Sequence, residues 1–190
     1  MDENTSLVAR DSAGQSLAEI VAALGDQRLP PVENWHPAHC GDSEMRIAAD
    51  GTWFHQGTPI GRRELVKLFS TILRREADGS YVLVTPGEKL DIAVDDAPFV
   101  AVEATVTGEG EGATIVFRLN TDDAVIAGPD NRLRVKTGAD GAPRPYLHVR
   151  RGLDALVLRA VFYQLAELAL ASDPPGVWSG GAFFPFGAAA

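Results

Sequence analysis

Two arginine pairs occupy positions at which the sequence predicts the start of a helix. Arg62-Arg63 and Arg150-Arg151 each precede an apolar pattern with helical spacing. A helix N-terminus carries partial positive charge and prefers Asp or Glu, so adjacent cations there indicate a bound anion. A phosphate or carboxylate would accept bidentate hydrogen bonds from these guanidinium groups, and Lys67, one turn beyond Arg63, could join them. The alternative is that these cations pair with some of the 26 carboxylates of the chain, because surface ion pairs are common.

Four further polar or aromatic residues are candidates for ligand binding. Trp53 and His55 share one side of a predicted strand and could stack on a base or another ring, although both could instead support the core. Asn120 and Asp122 follow a predicted strand and could recognise a ribose or a base edge. The alternative for these two residues is that their side chains build a turn through bonds to the backbone.

The segment "HPAHC" holds His36, His39 and Cys40, which are residue types that bind zinc. A fourth ligand at a matching spacing is missing, and the segment has no local signature of a cysteine nucleophile. The glycines of "GEGEG" stand between two predicted strands beside glutamates that would repel phosphate. We therefore expect neither a metal site, nor a cofactor, nor a catalytic set.

Composition limits the classes of partner. The 190-residue chain has a formal net charge of −9, which argues against broad nucleic-acid binding. Its single cysteine excludes an internal disulfide and fits a reducing compartment. The acidic N-terminus lacks a signal-peptide pattern, and no apolar run approaches the roughly 20 residues of a membrane span. We expect a cytoplasmic protein without nucleic-acid or membrane partners.

The elements in the first part of the chain follow from apolar spacing and turn residues. Residues 16–24 are predicted to form a short helix, and the following loop is rich in proline. Asp50-Gly51 predicts a hairpin turn between two strands. Residues 62–75 then have apolar side chains at helical spacing. We assign residues 1–80 to an N-terminal region with a helix, a loop, a hairpin and a second helix.

From Tyr81 the apolar period changes to two. Four runs of this kind predict an antiparallel meander, and two more strands follow. A last helix is predicted to begin near Gly152. The aromatic tail, residues 177–186, is expected to pack back on the body. We assign residues 81–190 to an antiparallel sheet closed by this helix, which together with the first region gives an α+β fold.

The two predicted helices also resemble each other. When residues 62–73 are placed over residues 150–161, the arginine pairs coincide and five apolar positions match. Any two amphipathic helices share an apolar stripe, so the match either reflects a duplicated strand–helix unit or arises by chance.

Several stretches of the chain resemble a bacterial family known as domain of unknown function 1285. They include "CGDSEMRIAADGTWFHQGTPIGRRELVKLFSTILRR", "DDAPF", "AGPDNRLRV", "RPYLHVRRGLDALVLRAVFYQL" and "GVWSGGAFFPF". The similarity extends from about residue 30 to 186, with departures at His39, where an aromatic residue is usual, and Arg132, where proline is usual. The resemblance implies a duplicated core and a C-terminal half that superficially looks like a pleckstrin-homology domain. The family has no established activity, but a nucleotide-like ligand between the halves and a signalling role have been suggested for it.

Three functions are compatible with these observations. The first is a non-catalytic, cytoplasmic signalling or regulatory module that binds a small anionic ligand, such as a nucleotide-like molecule, between its halves. The second is a protein-interaction module that uses the sheet or the aromatic tail to bind a protein partner. The third is an enzyme, such as a hydrolase, of unknown substrate. The sequence leaves the ligand, the partner and the oligomeric state open.

Overall fold

The computed structural model describes residues 29–186, which form two α-helices and fourteen β-strands. The helices are α1 (Arg63–Thr71) and α2 (Arg159–Ala169), and short 3-10 turns lie at Val32–Asn34 and Gly110–Gly112. The helix predicted for residues 16–24 lies outside the described residues. Neither α1 nor α2 has the length and apolar character needed to cross a lipid bilayer.

The first six strands form one mixed sheet. They are β1 (His39–Ile47), β2 (Trp53–His55), β3 (Thr58–Pro59), β4 (Leu73–Arg75), β5 (Tyr81–Val84) and β6 (Lys89–Val94). Their spatial order is β3-β2-β1-β6-β5-β4. The pairing of β1 with β6 in the middle of the sheet is parallel, and the other neighbours are antiparallel.

The next six strands form a second sheet of the same topology. They are β7 (Phe99–Thr107), β8 (Thr114–Leu119), β9 (Ala124–Ile126), β10 (Leu133–Thr137), β11 (Pro143–Arg150) and β12 (Leu153–Val157). Their order is β10-β11-β12-β7-β8-β9, with the central pair β12 and β7 parallel. Read from the other edge, this is the order of the first sheet. The protein therefore has an α+β fold with duplicated halves, as the sequence predicts, although one central strand pair of the second sheet departs from the expected antiparallel arrangement.

The helices occupy different places in the two halves. Helix α1 connects β3 to β4, whereas α2 follows the last strand of the second sheet. The prediction of a helix from Gly152 is wrong, because residues 153–157 form strand β12. Their burial alternates, with Leu153, Ala155 and Val157 inside, as expected for a strand. The same apolar residues also fit helical spacing, which is why the sequence pattern alone favoured a helix. The alignment of residues 62–73 with residues 150–161 is therefore wrong, because it places helix α1 over strand β12.

Arg151 and Gly152 form the two-residue turn between β11 and β12. Both have positive φ angles, 47° and 76°. Arg150 pairs with Leu153 across the turn. Positive φ at both central positions is typical of the type I′ turn that matches the twist of a hairpin. Arg150-Arg151 therefore lie at a hairpin tip and not at the start of a helix.

The chain changes from the first sheet to the second between Val94 and Phe99. Strands β5 and β6 belong to the first sheet because they pair with β4 and β1, so the sheet continues beyond the predicted division at residues 80 and 81. The meander predicted from residue 81 is interrupted at the same point. The aromatic tail forms a separate hairpin of β13 (Gly176–Ser179) and β14 (Ala182–Pro185). It is attached to the second half by the buried Ser179 hydroxyl, which donates to Ala127 O at 2.7 Å and accepts from Ile115 N at 2.8 Å.

One hydrophobic core joins the two halves. It contains buried residues of both sheets, among them Ile47, Trp53, Phe99 and Phe117. At one side of this core, the tip of the β1–β2 hairpin meets the end of β8. Asn120 Nδ2 donates to Gly51 O at 3.3 Å, while Asn120 Oδ1 accepts from Val100 N at 3.0 Å. The Asn120 amide thus links the two halves.

We predict that Gly51→Ala destabilises the protein by about 1–3 kcal/mol more than Gly57→Ala. Both substitutions place a Cβ on a left-handed backbone, but only the one at Gly51 also creates a steric clash. Both glycines have positive φ angles, 84° and 77°. A Cβ at Gly51 would lie 2.6 Å from Asn120 Nδ2 and 2.8 Å from Val100 Cγ2, whereas nothing lies within 4 Å of one at Gly57. Asn120 cannot swing away without losing its hydrogen bonds. Urea denaturation of both variants measures the difference, and equal losses would contradict the tight contact between the halves.

Candidate ligand-binding cleft between the two halves

A cleft of about 260 Å³ lies where helix α1 and the β1–β2 hairpin meet the β8–β9 turn. The first half contributes most of the lining and the second half contributes the turn. The residues are Asp50, Gly51, Thr52, Trp53, Ile60, Arg63, Val66, Lys67, Asn120 and Thr121. Four of the residues predicted from sequence as ligand-binding, Trp53, Arg63, Lys67 and Asn120, are therefore together in one cleft.

A cluster of three cations surrounds one carboxylate beside this cleft. Arg63 and Lys67, one turn apart on α1, each donate to the Asp122 carboxylate at 2.8 Å. From β8, Arg118 approaches the same carboxylate at 3.6 Å and also donates to Glu103 at 2.9 Å. The cations come from both halves, and we call Arg63, Lys67 and Arg118 the cation cluster. Arg118 was not predicted from sequence; its position four residues before Asp122, across a turn, was the available signal.

The pKa values of three charged groups in and around the cleft are shifted further from neutral pH. The hydrogen bond with Asp122 raises the pKa of Lys67, and the same bond lowers the pKa of Asp122, with Arg63 and Arg118 contributing. Asp50 also lines the cleft, and hydrogen bonds from Thr52 lower its pKa. These groups therefore stay ionised near neutral pH. They act as fixed charges, which can bind an ion but are poorly suited to exchange a proton.

Trp53 forms part of the floor of the cleft. Its side chain is 1% exposed and its ring stacks on Phe69 of α1, with the ring centroids 6.3 Å apart. The indole N–H has no hydrogen-bond partner among the described residues. His55, which was predicted to act with Trp53, instead lines a separate, mainly apolar cavity of about 510 Å³ between α1 and the first sheet. The structure thus does not bring His55 to the cation cluster.

Arg62 is the N-cap residue of α1, with extended backbone and no capping hydrogen bond from its side chain. Its carbonyl oxygen accepts from Leu65 N at 3.0 Å, which begins the helix. Arg62 is exposed beside Arg63 but has no contact with the Asp122 carboxylate. Of this arginine pair, only Arg63 joins the cation cluster.

Arg150 binds the opposite end of α1. Its guanidinium donates to Ser70 O at 3.0 Å and lies 4.9 Å from the centroid of the Phe99 ring. Burial lowers the pKa of Arg150. The C-terminal carbonyls of a helix lack intrahelical partners and carry partial negative charge, so a cation there is stabilising. Since Arg63 and Ser70 are seven residues apart, about 10 Å of helix separates Arg150 from the cation cluster.

Arg151 fixes the chain near the start of the described region. It donates to Pro30 O at 3.1 Å and lies 3.1 Å from the Glu33 carboxylate. The two arginine pairs therefore do not converge on a shared cleft, because the second pair belongs to a hairpin tip. The cations that do meet from the two halves are Arg63 and Lys67 with Arg118.

Two family models match successive parts of the chain. The family model described as "Domain of unknown function (DUF1285), N-terminal domain" matches residues 30–97, and that described as "Protein of unknown function (DUF1285), C-terminal domain" matches residues 98–186. The chain belongs to the DUF1285 family. The boundary between the two matches falls where the chain passes from the first sheet to the second. No curated protein matches the chain.

Two solved structures of DUF1285 family proteins are similar to this chain. One, from Silicibacter pomeroyi DSS-3, is 47% identical with a TM-score of 0.78, and the alignment covers 87% of this chain and 93% of the other. The second, from Shewanella baltica OS155, is 26% identical with a TM-score of 0.51, and covers 65% of this chain and 90% of the other. The family resemblance inferred from the sequence is thereby confirmed.

Two other candidate residues of this DUF1285 protein, His39 and Cys40, bond within the protein. His39 bonds to the Asp91 carboxylate at 2.8 Å, and the Cys40 thiol donates to Ala38 O at 3.2 Å. Between residues 29 and 186, no three or more His, Cys, Asp and Glu side chains are grouped so that they could hold a metal ion. Among the described residues, the cleft with its cation cluster is the candidate ligand-binding site.

We predict that Arg150→Ala lowers the free energy of unfolding by about 2–3 kcal/mol, because the carbonyl of the buried Ser70 loses its partner and a half-buried side chain is truncated. Arg151→Ala removes the same charge from the same turn but only solvent-exposed contacts, the ion pair with Glu33 and the hydrogen bond to Pro30 O, so its cost stays below about 1 kcal/mol. Chemical denaturation distinguishes the two variants. Equal destabilisation would mean that Arg150 does not act as the C-terminal partner of α1.

Proposed function

We propose that this DUF1285 protein is a non-catalytic module that binds a small anionic ligand, carrying a phosphate or a carboxylate, in the cleft between its halves. The cation cluster is the observation that carries the proposal. Arg63 and Arg118 offer planar guanidinium groups that suit two oxygens of an anion, and Lys67 adds a compact charge. All three side chains already hold a carboxylate, that of Asp122, which is the chemistry that an anionic ligand would supply.

The dimensions of the cleft favour a small ligand or the charged end of a larger one. Pockets for drug-sized molecules measure about 300–1,000 Å³, and this cleft, at about 260 Å³, is slightly below that range. The partly buried side chains of Ile60 and Val66 offer an apolar surface beside the charges. A phosphorylated metabolite, or the phosphate-bearing part of a nucleotide-like molecule, fits this combination of size and polarity.

Binding in preference to catalysis is supported by the direction of the pKa shifts. A general acid or base works best with a pKa near the ambient pH. In this cleft the pKa of Asp50 is lowered and that of Lys67 is raised, so both move away from neutrality. An enzymatic role, such as that of a hydrolase, remains the alternative and has no comparable support from these groups.

A regulatory role follows if the ligand binds one arrangement of the halves more tightly than another. Arg63 and Lys67 belong to the first half, whereas Arg118 belongs to the second, so an anion held by all three bridges the halves. A ligand shifts a conformational equilibrium only by its difference in affinity for the two states. We include in the proposal a protein partner that detects this difference and a cytoplasmic location, which the single cysteine favours.

The alternative of a protein-interaction module based on the aromatic tail is weaker. Trp178 and Phe183 contact each other with centroids 5.3 Å apart, and Phe186 stacks on Phe162 of α2 at 5.3 Å. The first contact lies within the β13–β14 hairpin, and the second attaches the residue that follows the hairpin to α2. These rings are thus largely engaged in internal packing rather than presented to a partner.

We predict that pyrophosphate, phosphate or a nucleoside monophosphate raises the melting temperature of the protein, and that Arg63→Ala combined with Lys67→Ala abolishes this response. At a concentration of 100 Kd a specific ligand adds about 2.7 kcal/mol of stability. The double variant removes two of the three cations while leaving Trp53 and the hairpin tip in place. Differential scanning fluorimetry and isothermal titration calorimetry measure the effect.

Arg151→Ala, which removes one positive charge far from the cleft, is the control and should retain the wild-type response. If the double variant also responds like the wild type, the ligand binds elsewhere and the proposal is wrong. Turnover of a phosphoester that is lost in the double variant would instead favour the enzymatic alternative.

A further inference from the structure

The position of Asp122 in the cation cluster raises the question of what its carboxylate does. Each of its ion pairs is with a cation of the cluster: Arg63 and Lys67 at 2.8 Å and Arg118 at 3.6 Å. The Asp122 side chain is 40% exposed, so these pairs lie at the surface of the cleft where solvent and ligand can reach them. The carboxylate therefore occupies the place that the anion of a ligand would take.

The backbone of the β8–β9 turn does not favour an aspartate at this position. Asp122 N donates to Leu119 O at 2.9 Å, Leu119 N donates to Asp123 O at 2.8 Å, and Asp122 has a φ of 65°. This is the three-residue hairpin loop in which the third residue is left-handed and is commonly glycine. A residue with a Cβ pays a conformational cost there that glycine avoids, although Asp tolerates the region better than most residues.

The β1–β2 turn of the same protein provides the comparison. It has the same two hydrogen bonds, from Gly51 N to Ala48 O and from Ala48 N to Thr52 O, both at 2.9 Å. Gly51 stands at the left-handed position, with a φ of 84°. The turn geometry alone is thus satisfied by glycine, and the carboxylate of Asp122 serves contacts outside its own turn.

From this arrangement we propose that Asp122 is a built-in competitor, which occupies the anion subsite in the unliganded protein and is displaced by ligands with more than one negative charge. The inference rests on the proposed function of the cleft. A monocarboxylate would only exchange one carboxylate for another and gain little. A phosphate monoester brings about two negative charges and three acceptor oxygens, which match the three cations, and pyrophosphate brings more of both.

This competitor also connects binding to the contact between the halves. The bonds from Arg63 and Lys67 to Asp122 join the first half to the second. A ligand that displaces the carboxylate breaks this direct connection and replaces it with its own oxygens. Asp122 thereby sets both the charge that a ligand must carry and the arrangement of the turn in the unliganded protein.

The test compares Asp122→Asn with the wild type by calorimetric titration of pyrophosphate and of acetate at low ionic strength, where charge interactions are least screened. Asparagine has nearly the same shape and tolerates the left-handed backbone, but it is uncharged. We expect pyrophosphate to bind Asp122→Asn about tenfold more tightly than the wild type, because a repelling charge a few ångströms away is removed. We also expect acetate to bind this variant measurably and the wild type much more weakly.

Two further variants make the result specific. Asp78→Asn changes the net charge equally, but its carboxylate bonds to Ser80 in the β4–β5 turn, so its affinities should equal those of the wild type. Asp122→Gly removes the carboxylate and gives the turn its preferred residue, so it should reproduce the Asp122→Asn affinities even if the asparagine side chain forms new contacts.

The outcomes separate this inference from the function on which it rests. Pyrophosphate binding that is equal or weaker in both Asp122 variants would overturn the competitor and leave the anion site intact. If pyrophosphate binds neither the wild type nor the variants, both the anion site and the competitor are wrong. If Asp78→Asn also binds pyrophosphate more tightly than the wild type, the effect comes from the change in net charge, and the inference is overturned.

Discussion

Helix α1 is held at both ends by charges that the other half of the molecule supplies. Beside its first turn, the Asp122 carboxylate accepts from Arg63 and Lys67. At its last turn, the Arg150 guanidinium donates to Ser70 O. A negative group near the N-terminus and a positive group at the C-terminus both complement the partial charges of a helix. The position of the cleft, and the cations that face it, depend on this docking.

This arrangement explains why an arginine at the start of α1 is tolerated. Glu64 in the first turn supplies one of the negative charges that a helix N-terminus prefers, and a second reaches it from Asp122 in the β8–β9 turn, 59 residues beyond Arg63. The Asp122 carboxylate compensates Arg63 and the helix together. The same geometry leaves a surface on which an exogenous anion could take the place of Asp122, since the contacts are partly solvent-exposed and involve no backbone pairing.

Much of the candidate cleft could be predicted from sequence, because its elements carry clear local signals. The hairpin turn at Gly51, the helical spacing around Arg63 and Lys67, and the polar turn with Asn120 and Asp122 depend on neighbouring residues. Arg118 was missed because its four-residue spacing from Asp122 becomes meaningful only once the turn that brings the two side chains together is known. His55 lies on the same strand as Trp53, but it lines a different cavity, between α1 and the first sheet.

The second arginine pair shows the limit of local patterns. The apolar residues of 153–161 fit a helix as well as a strand followed by a helix. The choice is decided by the pairing of β12 with β7, whose partners Ala155 and Phe99 are far apart in sequence. Competing local preferences are overridden by such tertiary contacts. The division of the chain between the sheets was displaced for the same reason, since β6 completes the first sheet by pairing with β1.

The parallel pairing of the first and last strands in each six-stranded sheet has a consequence for how the halves are joined. Because β1 and β6 run in the same direction, the chain enters the sheet at one end of these strands and leaves it at the other. Only the four residues between Val94 and Phe99 are then needed before the next sheet begins. An antiparallel pair would return the exit beside the entrance. This geometry suits head-to-tail concatenation of identical modules, so that tandem copying of one ancestral sheet could yield a two-sheet chain without a long linker.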